Sequence, residues 1–265
     1  MRFLNTTISL WLILGLSGVQ ASESDQLPVG EELLRPVGFL GTVSGDIELG
    51  FLYTRGNTDS FTIRTNSELI HELEAFRNRY QFYSLVQKQK ITDSQTGHRD
   101  NATTASRYGF TGQSNYKFVT GRETIFGRAA YLHDRFGAFK EQVSIAAGYA
   151  NRFYERLTDY LDLETGPGFG HQQKASGVTN TGLIWYLAMN LDYTLYEGTK
   201  FRQTFESTVS LDGENSVYLS RSSITAQIYG SLSMRVNFVA KYNSRPEGDL
   251  DSLDTETSAS LVYLF

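Results

Sequence analysis

The 265-residue chain carries 24 Lys and Arg against 29 Asp and Glu, a formal net charge of −5. It has no Lys/Arg run or basic patch, which argues against binding to nucleic acid through the phosphates. The absence of Cys excludes disulfides, thiolate metal sites and thiol nucleophiles. Hydrogen bonding and apolar burial must therefore hold the fold together.

The first residues have the layout of a secretory signal peptide. Arg2 precedes an apolar run over residues 8–16, and the Val-Gln-Ala of residues 19–21 provides a cleavage site before a polar stretch. The apolar run is shorter than the roughly 20 residues that a spanning helix needs. We therefore predict a signal peptide over residues 1–21 and an exported chain of formal charge about −6, because the signal removes one Arg and no acid.

From residue 43 onward, apolar and polar residues alternate in long segments. In "GDIELGFLYT", for example, Ile47, Leu49 and Phe51 share one face, with Asp46 and Glu48 on the other. Turn-like clusters separate the segments, the first being Gly-Asn-Thr-Asp at residues 56–59. The pattern predicts about twelve strands, with a range of ten to fourteen, at residues 44–54, 60–72, 77–90, 103–118, 122–134, 139–154, 157–170, 180–196, 200–212, 215–229, 231–243 and 253–265.

Three features favour a membrane barrel over a soluble sandwich. The strands, at about 10 to 15 residues, exceed the five or six usual in soluble sheets and suit a tilted crossing of the bilayer. Their polar faces carry charges in mid-strand, which a polar lumen permits. Tyr and Phe gather near strand ends, where the aromatic girdles of outer-membrane barrels lie.

Connection lengths support the same interpretation. Short connections are predicted at residues 74–76, 119–121, 155–156, 197–199 and 230, whereas longer ones such as "ITDSQTGHRDNA" and "NSRPEGDLDSLD" fall on the other side. Outer-membrane barrels have short periplasmic turns and longer outer loops. We predict one closed transmembrane barrel over residues 43–265, with the last strand paired to Gly45–Tyr53. Residues 22–42 are predicted to form a periplasmic segment or a short plug.

Side chains that could carry catalysis are few. "GFGHQQKASG", with His171 and Ser176, resembles the motif of the outer-membrane phospholipase only loosely, and Ser176 falls in a predicted loop. His133 with Asp134, or "GHRDN" with His98, could supply a protease pair of the omptin type, but a solvated loop pair is the simpler interpretation. We therefore expect no enzymatic activity, with a barrel hydrolase (lipase or protease) as the third alternative.

Two further motifs are expected to be structural. Gly166 to Gly170 ("GPGFG") lacks the helix and the Lys-Ser/Thr of a phosphate loop, so a bulge or strand end near the outer rim is expected. Asp249, Asp251 and Asp254 lack the EF-hand spacing, which favours a solvated loop. No metal or cofactor is predicted.

The inward-facing charges are the stronger candidates for function. The face assignment predicts these lumen-lining residues: Glu48, Arg64, Arg107, Arg128, Asp192, Arg202, Glu206, Arg235 and Glu256. They could form a cross-strand salt-bridge network that fills the barrel, or line a narrow, weakly selective aqueous pore. A twelve-stranded barrel allows both arrangements.

Several stretches resemble one known family. "GDIELGFLYTRGNTDSFTI", "YLHDRFGAF", "AMNLDYTLYEGTKFRQTFES" and "DTETSASLVYLF" are similar to the salt-induced outer-membrane protein family, a domain of unknown function, over about residues 45–265. The resemblance implies the outer membrane of a Gram-negative bacterium. It implies no catalytic or binding residue.

The last strand carries a second expectation. Tyr263 and Phe265 lie on its predicted lipid face and resemble the C-terminal signal by which the barrel-assembly machinery recognises its substrates. The expected partners are this machinery, outer-membrane lipids and lipopolysaccharide, and small solutes or ions. The leading hypothesis is a narrow passive channel or a salt- or stress-related envelope component. A non-conducting structural or adhesin-like barrel is the alternative.

Overall fold

A computed structural model describes residues 41–54, 60–92, 99–118, 121–246 and 251–265. These residues form twelve antiparallel strands that close into one barrel, which confirms the predicted fold class and strand number. The strands are β1 (Thr42–Thr54), β2 (Ser60–Glu72), β3 (Phe76–Thr92), β4 (Arg99–Lys117), β5 (Glu123–Asp134), β6 (Phe139–Arg156), β7 (Asp159–Lys174), β8 (Thr179–Tyr196), β9 (Thr199–Ser210), β10 (Val217–Tyr229), β11 (Leu232–Asn243) and β12 (Leu253–Leu264). Within the described part of the chain, no helix is long and apolar enough to cross a membrane.

Three predicted features lie outside the described residues. The signal peptide expected at residues 1–21 is one of them, and residues 22–40 of the predicted periplasmic segment or plug are another. The Gly-Asn-Thr-Asp turn at residues 56–59 is likewise outside. These expectations therefore stay predictions.

The connections differ in length between the two ends of the barrel. One end, called here the turn end, carries the connections at residues 73–75, 118–122, 157–158, 197–198 and 230–231; the opposite loop end carries those at 55–59, 93–98, 135–138, 175–178, 211–216 and 244–252. The tightest turns use left-handed backbone, as at Gly198 (φ 73°), which a residue without Cβ adopts freely. The turn predicted at residues 155–156 lies instead at 157–158, where Leu157 adopts a φ of 51°.

The outward face of the barrel is apolar and ends in aromatic pairs. At the turn end Phe76 contacts Tyr116, with ring centroids 5.3 Å apart, whereas at the loop end Tyr108 lies 6.1 Å from Tyr131. Trp185, also outward, donates its indole N–H to Thr165 at 3.0 Å, so its polar atom is satisfied within the wall. Alternation along the strands, interrupted at bulges such as the one between Arg152 and Tyr154, separates this surface from the charged interior.

One part of the interior is packed by aromatic and small residues. Phe126, Gly148, Gly166 and Tyr186 follow one another across β5 to β8, and the two rings meet above the glycines with centroids 5.8 Å apart. A Cβ on Gly148 would lie 2.1 Å from the Thr165 carbonyl oxygen, so only glycine allows this close approach of β6 and β7. The glycines thus make room for side chains that reach across from β5 and β8.

The expected bulge or strand end at the Gly-Pro-Gly-Phe-Gly stretch was wrong. Pro167 lies within β7 and pairs with Trp185 of β8 in an unbroken ladder. On the other side, the ladder to β6 is interrupted next to Pro167 and resumes in the same register, since Gly168 pairs with Ala146 and Thr165 with Tyr149. A proline is accommodated here because only one of its two ladders loses a donor.

Candidate functional site

The barrel interior is the candidate functional site, and it contains a cavity of about 330 Å³. The cavity reaches from Lys241 and Gln172 near the loop end to Asp46 and Arg202 near the turn end. Its lining includes eight bases and five acids: Arg64, Arg79, Arg107, Arg128, Arg202, Arg221, Arg235 and Lys241, with Asp46, Glu48, Glu68, Glu206 and Glu256. The site is therefore a polar lumen rich in charge of both signs.

Eight of the nine predicted lumen residues line this cavity. The ninth, Asp192, is buried beside it and pairs with Arg202, its Oδ2 lying 2.9 Å from Nη2. The structure therefore places all nine on the inward face. Whether they line a conducting pore stays a prediction.

Three contacts cross the lumen between strands that are far apart in the barrel. Arg202 of β9 pairs with Glu68 of β2 at 2.8 Å. Arg128 of β5 pairs with Glu206 of β9 at 2.6 Å. Lys241 of β11 donates to Gln142 of β6 at 3.0 Å. Each contact joins strands four or five places apart in the twelve-stranded barrel, so these side chains span part of the lumen.

A buried network fastens β11, β12 and β1 near the turn end. Glu48 is 1% exposed and accepts hydrogen bonds from Asn237 at 2.7 Å, from Ser260 and from Arg235 at 3.2 Å. Arg235 also bonds Asp46 through two nitrogens, both at 3.2 Å. A carboxylate this deeply buried is stable only with such partners.

A second network lies nearer the loop end and joins β2 to β12. The Arg64 guanidinium pairs with Glu256 and donates to Ser258 at 2.6 Å. Glu256 also accepts from the Tyr83 hydroxyl at 3.3 Å. The Arg64 side chain reaches β12 by crossing β1 at Gly50, the residue that pairs with Arg64. Because Gly50 has no side chain, it does not block this path.

The turn end is more tightly filled. Gln113 donates to both carboxylate oxygens of Glu164 at 3.1 Å, reaching from β4 to β7 over the small residues of β6. Below this bridge a separate cavity of only about 30 Å³ lies among Arg77, Lys117 and Arg152. These contacts fill the interior between β4 and β7 at the turn end.

His133 and Asp134 do not form a catalytic pair. His133 and Asp134 end β5 on opposite faces: His133 stacks on the outward Tyr108, with centroids 5.0 Å apart, and Asp134 is buried against Arg107 at 2.6 Å. The expectation of a solvated loop pair was therefore wrong as well, because both residues belong to the strand. His171 bonds Thr181 at 2.6 Å.

Three other candidate residues named from the sequence lie in a connection or outside the described residues. Ser176, from the lipase-like motif, lies in the connection after β7, as expected. His98, from the second protease-like motif, and Asp249, from the acidic cluster, are outside the described residues. Among the described residues no cluster of His, Asp or Glu is arranged to hold a metal ion.

The sequence list omitted several interior side chains. Lys241, Glu164 and Gln113 follow the same alternation as the residues that were named, so the pattern itself could have found them. Tyr83 was hidden because it follows Phe82, and two neighbouring aromatics give no sign of which one faces inward.

Comparison with solved structures finds other barrels at low identity. The translocator domain of autotransporter NalP from Neisseria meningitidis is 10% identical, covering 86% of this chain and 91% of that chain, with a TM-score of 0.45. The NanC porin is 11% identical over 83% and 99%, with a TM-score of 0.44. The outer membrane channel DcaP of Acinetobacter baumannii is 7% identical over 84% and 96%, with a TM-score of 0.41.

Comparison of sequences gives a firmer result. The curated protein "Uncharacterized protein YdiY" of Escherichia coli (strain K12) is 24% identical over 221 residues, which cover 83% of this chain and 82% of that protein. The model of the family described as "Protein of unknown function, DUF481" matches residues 47–265. That description does not mention salt, so the salt-induced part of the expectation stays a prediction. The match spans nearly the whole barrel, and the chain belongs to the DUF481 family.

Proposed function

We propose that the protein is an outer-membrane β-barrel of a Gram-negative bacterium that acts as a narrow passive channel for ions and small polar solutes. The outward face supports the membrane location, since it exposes large apolar side chains along every strand and carries aromatic pairs near both ends. In water such a surface would be an extended apolar patch far larger than soluble proteins tolerate.

The connection lengths support an orientation. Outer-membrane barrels place short turns in the periplasm and longer loops outside, so the turn end is periplasmic and the loop end faces outward. The expected partners follow from this placement. The outward wall contacts outer-membrane lipids and lipopolysaccharide, and Tyr263 and Phe265, at the turn end of β12, act as the signal for the barrel-assembly machinery.

The cavity carries the channel proposal. It reaches from Lys241 near the loop end to Arg202 near the turn end, and its lining carries many charged side chains, which a path for hydrated ions requires. Nearly equal numbers of acids and bases, once the buried partners Asp134 and Asp192 are counted, favour weak ion selectivity. No enzymatic activity is proposed.

The cross-lumen contacts favour a second candidate, a non-conducting structural barrel. Arg202–Glu68 and Arg128–Glu206 occupy the space that ions would need to cross. In a wet lumen, however, dissolved salt weakens the more exposed Arg202–Glu68 pair, because the screening length falls from about 8 Å at 0.15 M to about 3 Å at 1 M ionic strength, whereas the more buried Arg128–Glu206 pair is screened less. A channel whose bridges loosen at high ionic strength would agree with a role in salt stress.

Planar-bilayer recording of the purified protein separates the two candidates. The channel predicts discrete conductance steps that grow faster than bulk conductivity as salt is raised. Replacing Glu68 by Ala, alone or with Arg202→Ala, removes one cross-lumen bridge and should increase the step size. Glu197→Ala, at an exposed carboxylate in the β8–β9 turn, is the matched control and should leave it unchanged. Absence of steps at all salt concentrations, in wild type and bridge variants alike, would establish the structural barrel.

A further inference from the structure

The seam between β1 and β12 is bonded along only part of its length. Asp46 to Leu49 pair with Leu264 to Leu261, and Gly45 exchanges two backbone hydrogen bonds with Phe265 at 2.9 and 3.1 Å. The other side of β1 is bonded to β2 over the whole range Thr42–Thr54. Other neighbouring strands pair over ten positions or more in the described part of the barrel.

Toward the loop end the backbone ladder between the two strands stops after Leu49, although Gly50 still lies close to Ala259 and Ser260. If the register continued, Phe51 would face Ala259 and Leu52 would face Ser258, but this ladder is not formed. Phe51 is 66% exposed and Leu52 is 61% exposed. Two successive exposed side chains depart from strict alternation, and here they coincide with the end of the β1–β12 ladder.

The backbone N–H and C=O groups along this gap need hydrogen-bond partners. An unpaired strand edge costs several kcal/mol per group in hydrocarbon, and irregular backbone at membrane depth is tolerated where it lines a water-filled cavity. Here the cavity lies directly behind the seam, with Arg64 and Glu256 in its lining. The gap therefore joins the polar lumen sideways to the apolar surroundings of the barrel.

The two halves of the seam are held in different ways. Near the turn end, backbone bonds combine with the Glu48 network. Near the loop end, the connection consists of side chains, with Arg64 of β2 bound to Glu256 and Ser258 of β12 across the gap. We call this set of three residues the latch. Its chemistry is incomplete, because the buried Arg64 Nε has no hydrogen-bond partner although the residue is only 7% exposed.

We propose that the loop-end half of the β1–β12 seam is a lateral portal, through which an anionic amphiphile with an acyl chain places its headgroup in the lumen. Phe51 and Leu52 expose apolar side chains at this part of the seam, which suits the chain. The Arg64 guanidinium, released from Glu256 and with Nε already lacking a partner, offers paired donors to a phosphate or carboxylate. The portal goes beyond axial conduction, since it opens the wall of the barrel and not its ends.

Photo-crosslinking in vesicles tests the portal. A benzophenone amino acid replaces Asn66, which lines the cavity on β2 without belonging to the latch, and in a matched control replaces Ser144 on the opposite wall. The chain has no Cys, so Leu52→Cys with Ser258→Cys allows a short bifunctional thiol reagent to tie the gap shut. The vesicles contain phosphatidylglycerol as the anionic probe or phosphatidylcholine alone.

The expected result is a phosphatidylglycerol adduct at position 66 that exceeds the adduct at 144 and is lost when the gap is tied. Glu256→Gln should increase the adduct at 66, because it weakens the latch, whereas Glu197→Gln should not. The portal is overturned if position 66 gives no adduct in the untied protein, or if tying leaves the adduct unchanged, since the lipid then arrives through a barrel end. Equal adducts with phosphatidylcholine would overturn the anionic assignment. Conductance is measured separately, so failure of the channel and failure of the portal are distinguishable.

Discussion

Replacing Glu48 by Ala should destabilise the barrel more than other single carboxylate substitutions in its wall. The side chain is 1% exposed and holds three partners from β11 and β12, namely Asn237, Ser260 and Arg235. Its loss leaves these groups buried without their acceptor. The strand that closes the barrel would thereby lose one of its side-chain attachments.

The size of the effect follows from what the partners retain. Removing one member of a buried ion pair costs about 3–5 kcal/mol. Arg235 keeps two bonds to Asp46 and one to Thr225 at 2.8 Å, so the lower end of the range, about 3 kcal/mol, is expected. Glu48→Gln keeps an acceptor oxygen for Asn237 and should lose roughly half as much, because charge-assisted bonds are about twice as strong as neutral ones.

Urea unfolding of protein refolded into lipid vesicles measures this loss. With a slope of about 1–3 kcal/mol per M, a 3 kcal/mol loss lowers the midpoint by roughly 1–3 M. Glu197→Ala, which removes an exposed carboxylate from a turn, is the control and should stay within about 0.5 kcal/mol of wild type. A loss of less than about 1 kcal/mol in the free energy of unfolding for Glu48→Ala would contradict this expectation, because removing a buried carboxylate with three hydrogen-bond partners should cost more.

Two further predictions concern packing and assembly. Gly148→Ala should lower the free energy of unfolding by about 1–3 kcal/mol, because its Cβ would overlap backbone atoms of β7. The control is Gly127→Ala, where a Cβ meets no atom within 4 Å, and it should be near neutral in the same urea titration. Equal losses would contradict the close-approach argument. Phe265→Ala should reduce the amount of folded protein in the outer membrane, measured by its heat-modifiable migration, while leaving the conductance of the assembled fraction unchanged. Wild-type membrane levels would count against the assembly signal.

Alternation in the sequence predicted most of the architecture for a physical reason. The barrel wall is a single sheet with an apolar outer face and a polar inner face, so apolar and polar residues alternate along every strand. The inward residues and the strand ends can therefore be identified from the sequence. The predicted range 60–72 coincides with β2, and 139–154 differs from β6 by two residues at one end. The same period placed Glu48 and Arg235 on the inward face.

What the sequence did not predict depends on contacts across the lumen. Nothing local pairs Arg202 with Glu68, whose strands lie nearly opposite each other. The Arg128 to Glu206 contact likewise joins strands four places apart, which meet across the lumen only once the barrel is closed. The partial seam escaped prediction too, because "GDIELGFLY" alternates regularly past Leu49, where its bonding to β12 ends. The alternation along a strand determines which side chains face the lumen. Which charged side chain each of them pairs with depends on the closed barrel.

The most direct test of a membrane barrel with an aqueous lumen is to measure whether each face of one strand is exposed to lipid or to water. Single Cys substitutions along β10 place a unique thiol at Leu219 or Ser223, which line the cavity, or at Ser222 or Ile224, which face outward. In protein reconstituted into vesicles, a small water-soluble maleimide should label positions 219 and 223 and leave 222 and 224 unlabelled until the protein is unfolded. Equal labelling at all four positions would contradict a barrel with lipid outside and water within.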